Sequence, residues 1–190
     1  FGKDHNAEGW TCEGTNQPAI RVSWAEAMKY CEWLTQKTGR KFTLPTEAQW
    51  ECAARGGRSG SHFPWGDDLE PNGEHRMNVF QGDFPGGNTG ADGWIGTSPA
   101  DHFPPNGFGL HQMTGNVWEW CLDWFALLTY NRRAAVDPAG PPEGSARVMR
   151  GGSYLCHESY CWRYRVDARS ANKTDSTAGT FAFRVVAENS

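Results

Sequence analysis

Two cysteines five positions apart, Cys156 and Cys161, place the strongest constraint on how this chain folds. On a helix of roughly 3.6 residues per turn, that spacing would leave the two sulfurs about 140° apart. The spacing therefore predicts a curled loop, rather than a helix, that brings the sulfurs together. A disulfide, a metal-binding pair and ordinary loop cysteines all remain compatible with it. If the pair binds a metal, two thiolates with no third cysteine or histidine at zinc-like spacing suit a soft ion such as Cu(I) better than tetrahedral Zn(II).

The composition indicates one loop-rich domain whose core is built from large aromatic side chains. The 190 residues suffice for a single domain over 1–190, and ten tryptophans and ten phenylalanines supply much of the surface to be buried. A net charge of -4 gives no electrostatic argument for nucleic acid or an anionic membrane surface as a partner. No apolar run approaches the ~20 residues that cross a bilayer. Six cysteines permit disulfides, but in a chain of this length they do not imply a disulfide scaffold.

Two capping-box sequences predict two helices, because each places a serine or threonine three residues before a glutamate or glutamine. The boxes and the glycines that end the helices are Ser23 with Glu26 and Gly39, and Thr46 with Gln49 and Gly56. Cys31 and Cys52 fall within these helices. We expect both to be buried, as free cysteines usually are.

The rest of the chain predicts short strands around a long irregular stretch. Between Gly57 and Gly109, glycine, proline, asparagine and aspartate recur every few residues without a sustained period, which is typical of a functional or ion-stabilised loop region. Alternation at Trp118 and Trp120 indicates a strand. The predicted strands are Lys41–Leu44, Val117–Trp120, Arg147–Tyr154 and Phe181–Val186.

Motifs along most of the chain resemble those of the formylglycine-generating enzymes, which oxidise a cysteine in sulfatases. The motifs are LPTEAQWECAARGG, FPWG, NGFGL, TGNVWEW and, around the two cysteines, GGSYLCHESYCWRYRVDARS. The resemblance extends from about Asn16 to Val186. The paired cysteines matter most, because the wider superfamily shares the scaffold motifs without them. The resemblance implies an α+β, irregular, loop-rich C-type-lectin-like fold with little regular secondary structure.

The resemblance also implies an activity, namely copper- and O2-dependent oxidation of a cysteine to Cα-formylglycine. The implied partner is an unfolded sulfatase polypeptide with a Cys-x-Pro-x-Arg motif, and copper carries the redox step. The implied catalytic residues are the Cu(I) ligands Cys156 and Cys161, Ser153 beside the oxygen, and Trp118 as a wall of the oxygen pocket. The implied substrate contacts are His157, Tyr160, Arg163 and Arg169. Alternatives stay open: a plain strand serine, a core tryptophan, and arginines saturated by internal hydrogen bonds.

Two structural calcium sites follow from the same resemblance, since hard cations take carboxylate, amide and main-chain oxygens from loops. The first set comprises Asn78 and Asp92 by their side chains and Val79 and Trp94 by their carbonyls. The second comprises Glu119 by its carboxylate, Gly115 and Val117 by their carbonyls, and Gln112, where the family usually has asparagine. The alternative for these side chains is ordinary turn hydrogen bonding.

Two rival functions remain open. The first is a non-catalytic ligand- or protein-binding module on the same scaffold, which predicts no cysteine pair. The second is an oxidase related to the iron enzymes of thiol-histidine synthesis, which need a histidine-rich iron site that has no counterpart in this sequence.

The resemblance carries three further expectations. Family members usually begin with an additional N-terminal segment, so we expect one to be missing from this chain. Secreted animal relatives carry extra cysteines where this chain has Ala54, Val166 and Val185, which favours a microbial or otherwise cytosolic enzyme. We expect the protein to act as a monomer.

Overall fold

The computed structural model describes residues 16–128 and 136–188. Both predicted helices are present, α1 at Trp24–Thr38 and α2 at Glu47–Arg55. Each begins with a complete capping box, in which the side chain of Ser23 or Thr46 accepts from the backbone three residues on. Each ends at a glycine with positive φ, Gly39 or Gly56, the conformation that glycine adopts most readily. The sequence therefore placed both helices correctly.

Within the described ranges, eight short strands and a 3-10 turn at Pro71–Gly73 accompany the two helices. The strands are β1 (Phe42–Thr43), β2 (Gly82–Asp83), β3 (Gly87–Asn88), β4 (Trp118–Trp124), β5 (Arg147–Arg150), β6 (Ser170–Asn172), β7 (Phe181–Ala182) and β8 (Val186–Ala187). A central sheet has the order β6-β5-β4-β7, in which only β7 runs parallel to its neighbour. The pairs β1–β8 and β2–β3 form two small antiparallel ladders. The predicted loop-rich α+β class is confirmed.

The central strand β4 is buried on both faces. Trp118 and Trp120 belong to a core cluster that also contains Cys156 and Tyr164. Cys121 belongs to a second cluster, which packs around Trp50 of α2. Because β4 separates these two clusters, it holds the cysteine loop on one side and α2 on the other.

Several details of the predicted elements are wrong. Cys52 is exposed, because Trp50 and Ala54 set the buried face of α2 and a residue two positions after Trp50 lies about 200° around the helix. The strand predicted at Arg147–Tyr154 ends at Arg150, since Gly151 and Gly152 both have positive φ. The stretch predicted as one closing strand forms the two short strands β7 and β8 instead.

Cys31 is buried, as expected. Cys12 lies outside the described residues, as does part of the loop between β4 and β5. In the part of the chain that the structure describes, no helix is long and apolar enough to span a membrane.

Candidate active site

The predicted cysteine loop begins where β5 ends. Gly152 has φ +74°, and a Cβ at this position would lie 2.9 Å from the Cβ of Tyr164. Only a glycine therefore lets the chain turn here against the returning segment. The turn is closed by Cys156 N–H donating to the Ser153 carbonyl at 2.9 Å, and a second turn by Cys161 N–H donating to the His157 carbonyl at 2.7 Å. The predicted curled loop is confirmed, and it brings the two sulfurs together.

The two sulfurs form a close pair of free thiols. Sγ of Cys156 lies 2.9 Å from Sγ of Cys161, well beyond the roughly 2.05 Å of a disulfide bond. Cys156 is buried and Cys161 is partly exposed. One thiol of the pair is therefore reachable from solvent, while the other anchors it in the core.

The hydrogen bond between the two thiols shifts their pKa values in opposite directions. The hydrogen bond from Cys156 lowers the pKa of the Cys161 thiol to about 6, with smaller help from the Arg163 backbone and charge. The same hydrogen bond, together with burial, raises the pKa of Cys156. At neutral pH, Cys161 is therefore a thiolate, the form of cysteine that binds metals and reacts as a nucleophile.

Ser153 and Trp118 both lie on the buried side of the cysteine pair. The Oγ of Ser153 lies 3.9 Å from Sγ of Cys156 and accepts a hydrogen bond from Leu155 N–H. Trp118 is buried in the same core cluster as Cys156. Tyr164, which the motif analysis did not single out, is also buried in this cluster, and burial raises the pKa of its phenol, with a contribution from the two thiols. It therefore stays a neutral hydroxyl close to the pair.

An aromatic surface adjoins the exposed thiol. Tyr160 is 76% exposed and stacks on Phe84, with ring centroids 5.1 Å apart. His157 stacks on Phe84 as well, at 5.8 Å, and its Nδ1 lies 2.8 Å from the Ser159 hydroxyl. Phe84 was missed by the motif analysis, because His157 and Tyr160 lie more than 70 positions further along the chain and no local pattern links them to it. The structure thus places two of the predicted substrate contacts, His157 and Tyr160, on one aromatic surface.

The two predicted substrate arginines have different environments. Arg163 is exposed and lies two positions after Cys161 in the loop, where its backbone N–H donates to the Cys161 carbonyl at 2.6 Å. Arg169 donates two hydrogen bonds of 2.7 Å to the carboxylate of Glu47 and one of 2.9 Å to the Ala126 carbonyl. Arg169 therefore has the internal partners that the sequence left open as an alternative to substrate binding.

The first predicted calcium set contains an unsatisfied oxygen. The amide nitrogen of Asn78 donates to Gly96 and Asn116, but its Oδ1 is buried without a partner among the described residues. The carboxylate of Asp92 accepts from the backbone of Val79 at 3.0 Å and of Trp94 at 2.9 Å. Burial raises the pKa of Asp92 despite these hydrogen bonds. A buried free oxygen beside a carboxylate that forms no ion pair with any described residue suits a hard cation.

The second predicted set is already engaged by protein groups. Glu119 accepts two hydrogen bonds of 2.6 Å from Arg184 and one of 2.6 Å from Trp50. The side chain of Gln112 contacts Ser98 and the Pro99 carbonyl. With Arg184 present as a counter-ion, this set fits a calcium ion less well than the first.

Comparison with known proteins identifies the family. The model of the sulfatase-modifying factor enzyme 1-like domain matches residues 4–189. The formylglycine-generating enzyme of Streptomyces coelicolor is 52% identical over 169 residues, covering 89% of this chain and 52% of that protein. Its counterpart in Bos taurus is 48% identical over 174 residues, covering 92% and 45%. The chain therefore spans about half the length of the curated relatives that it matches.

Solved structures confirm the predicted C-type-lectin-like fold. PvdO from Pseudomonas aeruginosa superimposes with a TM-score of 0.79 at 28% identity, over 93% of this chain and 64% of that one. Treponema denticola variable protein 1 gives a TM-score of 0.74 at 26% identity, over 94% of this chain and 73% of that one.

One relative in sequence is named as inactive. This protein, inactive C-alpha-formylglycine-generating enzyme 2 of Mus musculus, is 42% identical over 170 residues, which cover 88% of this chain and 48% of that protein. Family membership alone therefore leaves open whether a member is active.

Proposed function

This chain belongs to the sulfatase-modifying factor family, and we propose that it oxidises a cysteine of a sulfatase polypeptide to formylglycine, with Cu(I) and O2. The single observation that carries the proposal is the pair of free thiols at 2.9 Å, one buried and one reachable. A non-catalytic scaffold has no need of a buried thiol paired with one that solvent can reach.

The thiol pair suits a soft monovalent ion. Cys156 and Cys161 would hold copper as thiolates, and the lowered pKa of Cys161 favours binding because only one proton then has to be displaced. Among the described residues, no group of three or more His, Cys, Asp and Glu side chains gathers at any point, so two thiolates would leave a coordination position open. Bound copper would supply the one-electron chemistry that activates O2, which protein side chains lack.

The proposed reaction balances with an external thiol as reductant. The substrate cysteine loses one Cβ hydrogen and its thiol hydrogen, two electrons in all, and becomes a thioaldehyde. Water then adds to the thioaldehyde carbon, and hydrogen sulfide leaves to give the aldehyde. O2 accepts four electrons, two from the substrate and two from two molecules of the external thiol, which become a disulfide. Reduction of O2 by four electrons and four protons gives two molecules of water, and the hydrolysis of the thioaldehyde consumes one, so the balanced reaction releases one water, one hydrogen sulfide and one disulfide for each aldehyde.

The residues around the pair would position the reactants. Ser153 would donate its hydroxyl hydrogen to oxygen or water beside Cys156, and the buried Trp118 would exclude bulk water on that side. Tyr160 and His157, stacked on Phe84, would offer an apolar surface to an extended substrate. Arg163 is the exposed cation adjoining Cys161 and would pair with polar groups of the substrate main chain.

Structural calcium is part of the same proposal. The first site would take the free Asn78 Oδ1, the Asp92 carboxylate and carbonyls of Val79 and Trp94, which ties together the irregular stretch between α2 and β4. The second site, at Glu119, stays a weaker proposal because Arg184 already neutralises that carboxylate.

A non-catalytic binding module is the second candidate, and the relative named as inactive is the observation that favours it. The two candidates differ in what the cysteine pair is for. A binding module would recognise the sulfatase segment without altering it.

Mass spectrometry of a peptide containing Cys-Thr-Pro-Ser-Arg tests the proposal. The peptide is incubated with the protein, Cu(I), O2 and a thiol reductant, and the expected result is conversion of its cysteine to an aldehyde that a hydrazide reagent captures. Omission of copper should abolish conversion. Tight peptide binding without conversion, in the presence of bound copper, would instead support the binding module.

A further inference from the structure

A cleft lies between the end of α2 and the loops that precede β4, apart from the cysteine pair. Its volume is about 320 Å³, at the small end of the range for ligand sites. The residues that concern us here are Arg58, Trp65, Arg76, Pro104 and Thr114. None of these five is predicted to bind copper, substrate or calcium, although the cleft also reaches Gln112.

The cleft carries positive charge in an acidic protein. Two arginines line it and no aspartate or glutamate is among its described lining residues, whereas the whole chain has a net charge of -4. Arg76 has a loose ion pair, since its Nη1 lies 3.8 Å from a carboxylate oxygen of Glu74, whose side chain is 68% exposed. Exposed pairs of this kind are weak, so the Arg76 charge remains available to a ligand.

Two donors in the lining lack acceptors. Within the described residues, neither Nε of Arg76 nor Oγ1 of Thr114 has a hydrogen-bond partner, although both atoms are buried. Thr114 is only 1% exposed. Buried donors nearly always have a partner, so two orphans at one cleft indicate that an acceptor from outside the chain belongs there.

The C-terminal end of α2 lies beside the cleft, but its carbonyl groups do not strongly repel an anion there. The carbonyls of Ala53 and Ala54 near the end of α2 accept hydrogen bonds from the Asn106 amide, at 2.7 and 3.2 Å. Their partial negative charge is thereby partly neutralised.

The remaining lining is apolar. The indole nitrogen of Trp65 already donates to the Asp68 carbonyl at 2.8 Å, so this residue contributes ring surface rather than a further donor. Pro64, Pro104 and Leu110 add apolar surface. A bare inorganic anion would leave these surfaces uncovered.

We propose that this cleft binds a small organic carboxylate with an apolar body. The guanidinium groups of Arg76 and Arg58 pair with the carboxylate, since the planar donor fork of arginine matches its two oxygens. The Thr114 hydroxyl donates to the same group. The apolar body packs against Trp65 and the prolines.

Isothermal titration calorimetry with benzoate tests the proposal, with calcium held constant. Benzamide is the matched neutral ligand, and inorganic phosphate is the bare anion. Benzoate is expected to bind at one site, at least about tenfold more tightly than either, because the charge and the ring both contribute. No binding of benzoate, or equal binding of benzamide or phosphate, would overturn the proposal.

Two variants assign the binding to the cleft. Arg76→Gln is expected to weaken benzoate binding by at least about tenfold, while Arg40→Gln, which removes an equal charge on the loop after α1, leaves it unchanged. An unaltered affinity in Arg76→Gln would contradict the assignment.

Thr114→Val separates a ligand contact from a structural role. Because its hydroxyl has no partner in the described chain, the melting temperature without ligand should stay the same or rise, and benzoate affinity should fall. A lower melting temperature with unchanged affinity would show that the hydroxyl serves the fold and would count against the proposal. None of these measurements depends on turnover, so they stand apart from the proposed oxidase activity.

Discussion

Glu47 Oε1 lies 2.6 Å from Arg150 Nη1, and both side chains are completely buried. Arg150 is the last residue of β5, which leads into the cysteine loop, and Arg169 lies where the chain leaves it. Since Arg169 also pairs with Glu47, one buried carboxylate on α2 fixes both ends of the loop that carries Cys156 and Cys161. The position of the thiols therefore depends on a residue that contacts neither of them.

Glu47→Gln should destabilise the fold strongly. Removing one partner of a buried ion pair costs about 3–5 kcal/mol, which corresponds to a fall in melting temperature of roughly 6–20 °C in a chain of this size. Urea unfolding followed by circular dichroism measures the loss. Glu188→Gln, which breaks the exposed pair with Lys41, is the control and should cost less than about 1 kcal/mol.

The Glu47 carboxylate also makes the free energy of unfolding depend on pH in the acid range. Burial alone would raise the pKa of Glu47, but hydrogen bonds and charges from Arg169 and Arg150 outweigh it and lower the pKa. A lowered folded-state pKa contributes stability above the unfolded pKa, about 4.3, and that contribution is lost as pH falls further. Wild type should lose stability below about pH 4 more steeply than Glu47→Gln. If the free energy of unfolding fell equally steeply with pH in wild type and Glu47→Gln, the prediction would be contradicted.

We expect Arg163 to contact the substrate and Arg169 to stabilise the fold. Arg163→Gln should raise KM for the Cys-Thr-Pro-Ser-Arg peptide and leave the melting temperature unchanged, because the side chain is exposed. Arg169→Gln should lower the melting temperature, because it removes hydrogen bonds to Glu47 and Ala126. Peptide turnover and thermal unfolding are measured on both variants. The reverse assignment would show that Arg169 is the substrate residue.

The helices could be predicted from the sequence because their ends depend on local contacts. The capping boxes at Ser23 and Thr46 and the positive-φ glycines act within a few residues of one another. The exposure of Cys52 could not be predicted, since the face of α2 that turns inward is set by packing against β4, which lies some 70 positions further along the chain.

In the candidate site, too, features set by local sequence could be predicted and features set by distant contacts could not. The spacing of Cys156 and Cys161 predicted their loop, because the constraint lies within six residues. The roles of Phe84, Glu47 and Arg184 depend on partners far away in sequence and were not predictable from any local pattern. The β5 strand was predicted too long because the sequence does not reveal the positive φ of Gly151 and Gly152, which ends the ladder at Arg150.

Cys161 should react as a thiolate at unusually low pH. Its pKa of about 6 predicts that alkylation by iodoacetamide rises with pH and reaches half its plateau near pH 6. Cys156→Ala removes the hydrogen bond that contributes most to this shift, so the midpoint should move towards the ordinary value of about 8.5. Tandem mass spectrometry of tryptic peptides locates the label. The buried Cys121, whose pKa burial raises well above normal, should stay unlabelled in the folded protein.

Calcium should stabilise the protein through Asp92. Because burial raises the pKa of this carboxyl, its ionised form opposes folding when no cation is present, and calcium reverses that effect. Saturation at about a hundred times the dissociation constant would add about 2.7 kcal/mol, or roughly 5–11 °C in melting temperature. Asp92→Asn should lose this calcium-dependent rise, whereas Asp101→Asn, on an exposed turn, should keep it. An unchanged wild-type melting curve after chelation would rule out a structural role for calcium.

Loss of either thiol should abolish copper binding and turnover together while the fold persists. Cys156→Ser and Cys161→Ser each leave a single thiolate, which is too weak a site for Cu(I) to compete with a chromophoric chelator. Cys52→Ser is the matched control, since it removes an exposed thiol from α2 and leaves the pair intact. Ser153→Ala should still bind copper but turn over more slowly, because its hydroxyl lies beside the sulfur without being a ligand. Thermal unfolding of each variant confirms that it is folded before copper binding and peptide oxidation are compared. Retained oxidation in either cysteine variant would overturn the proposed chemistry, and retained copper binding in both would place the metal elsewhere in the protein.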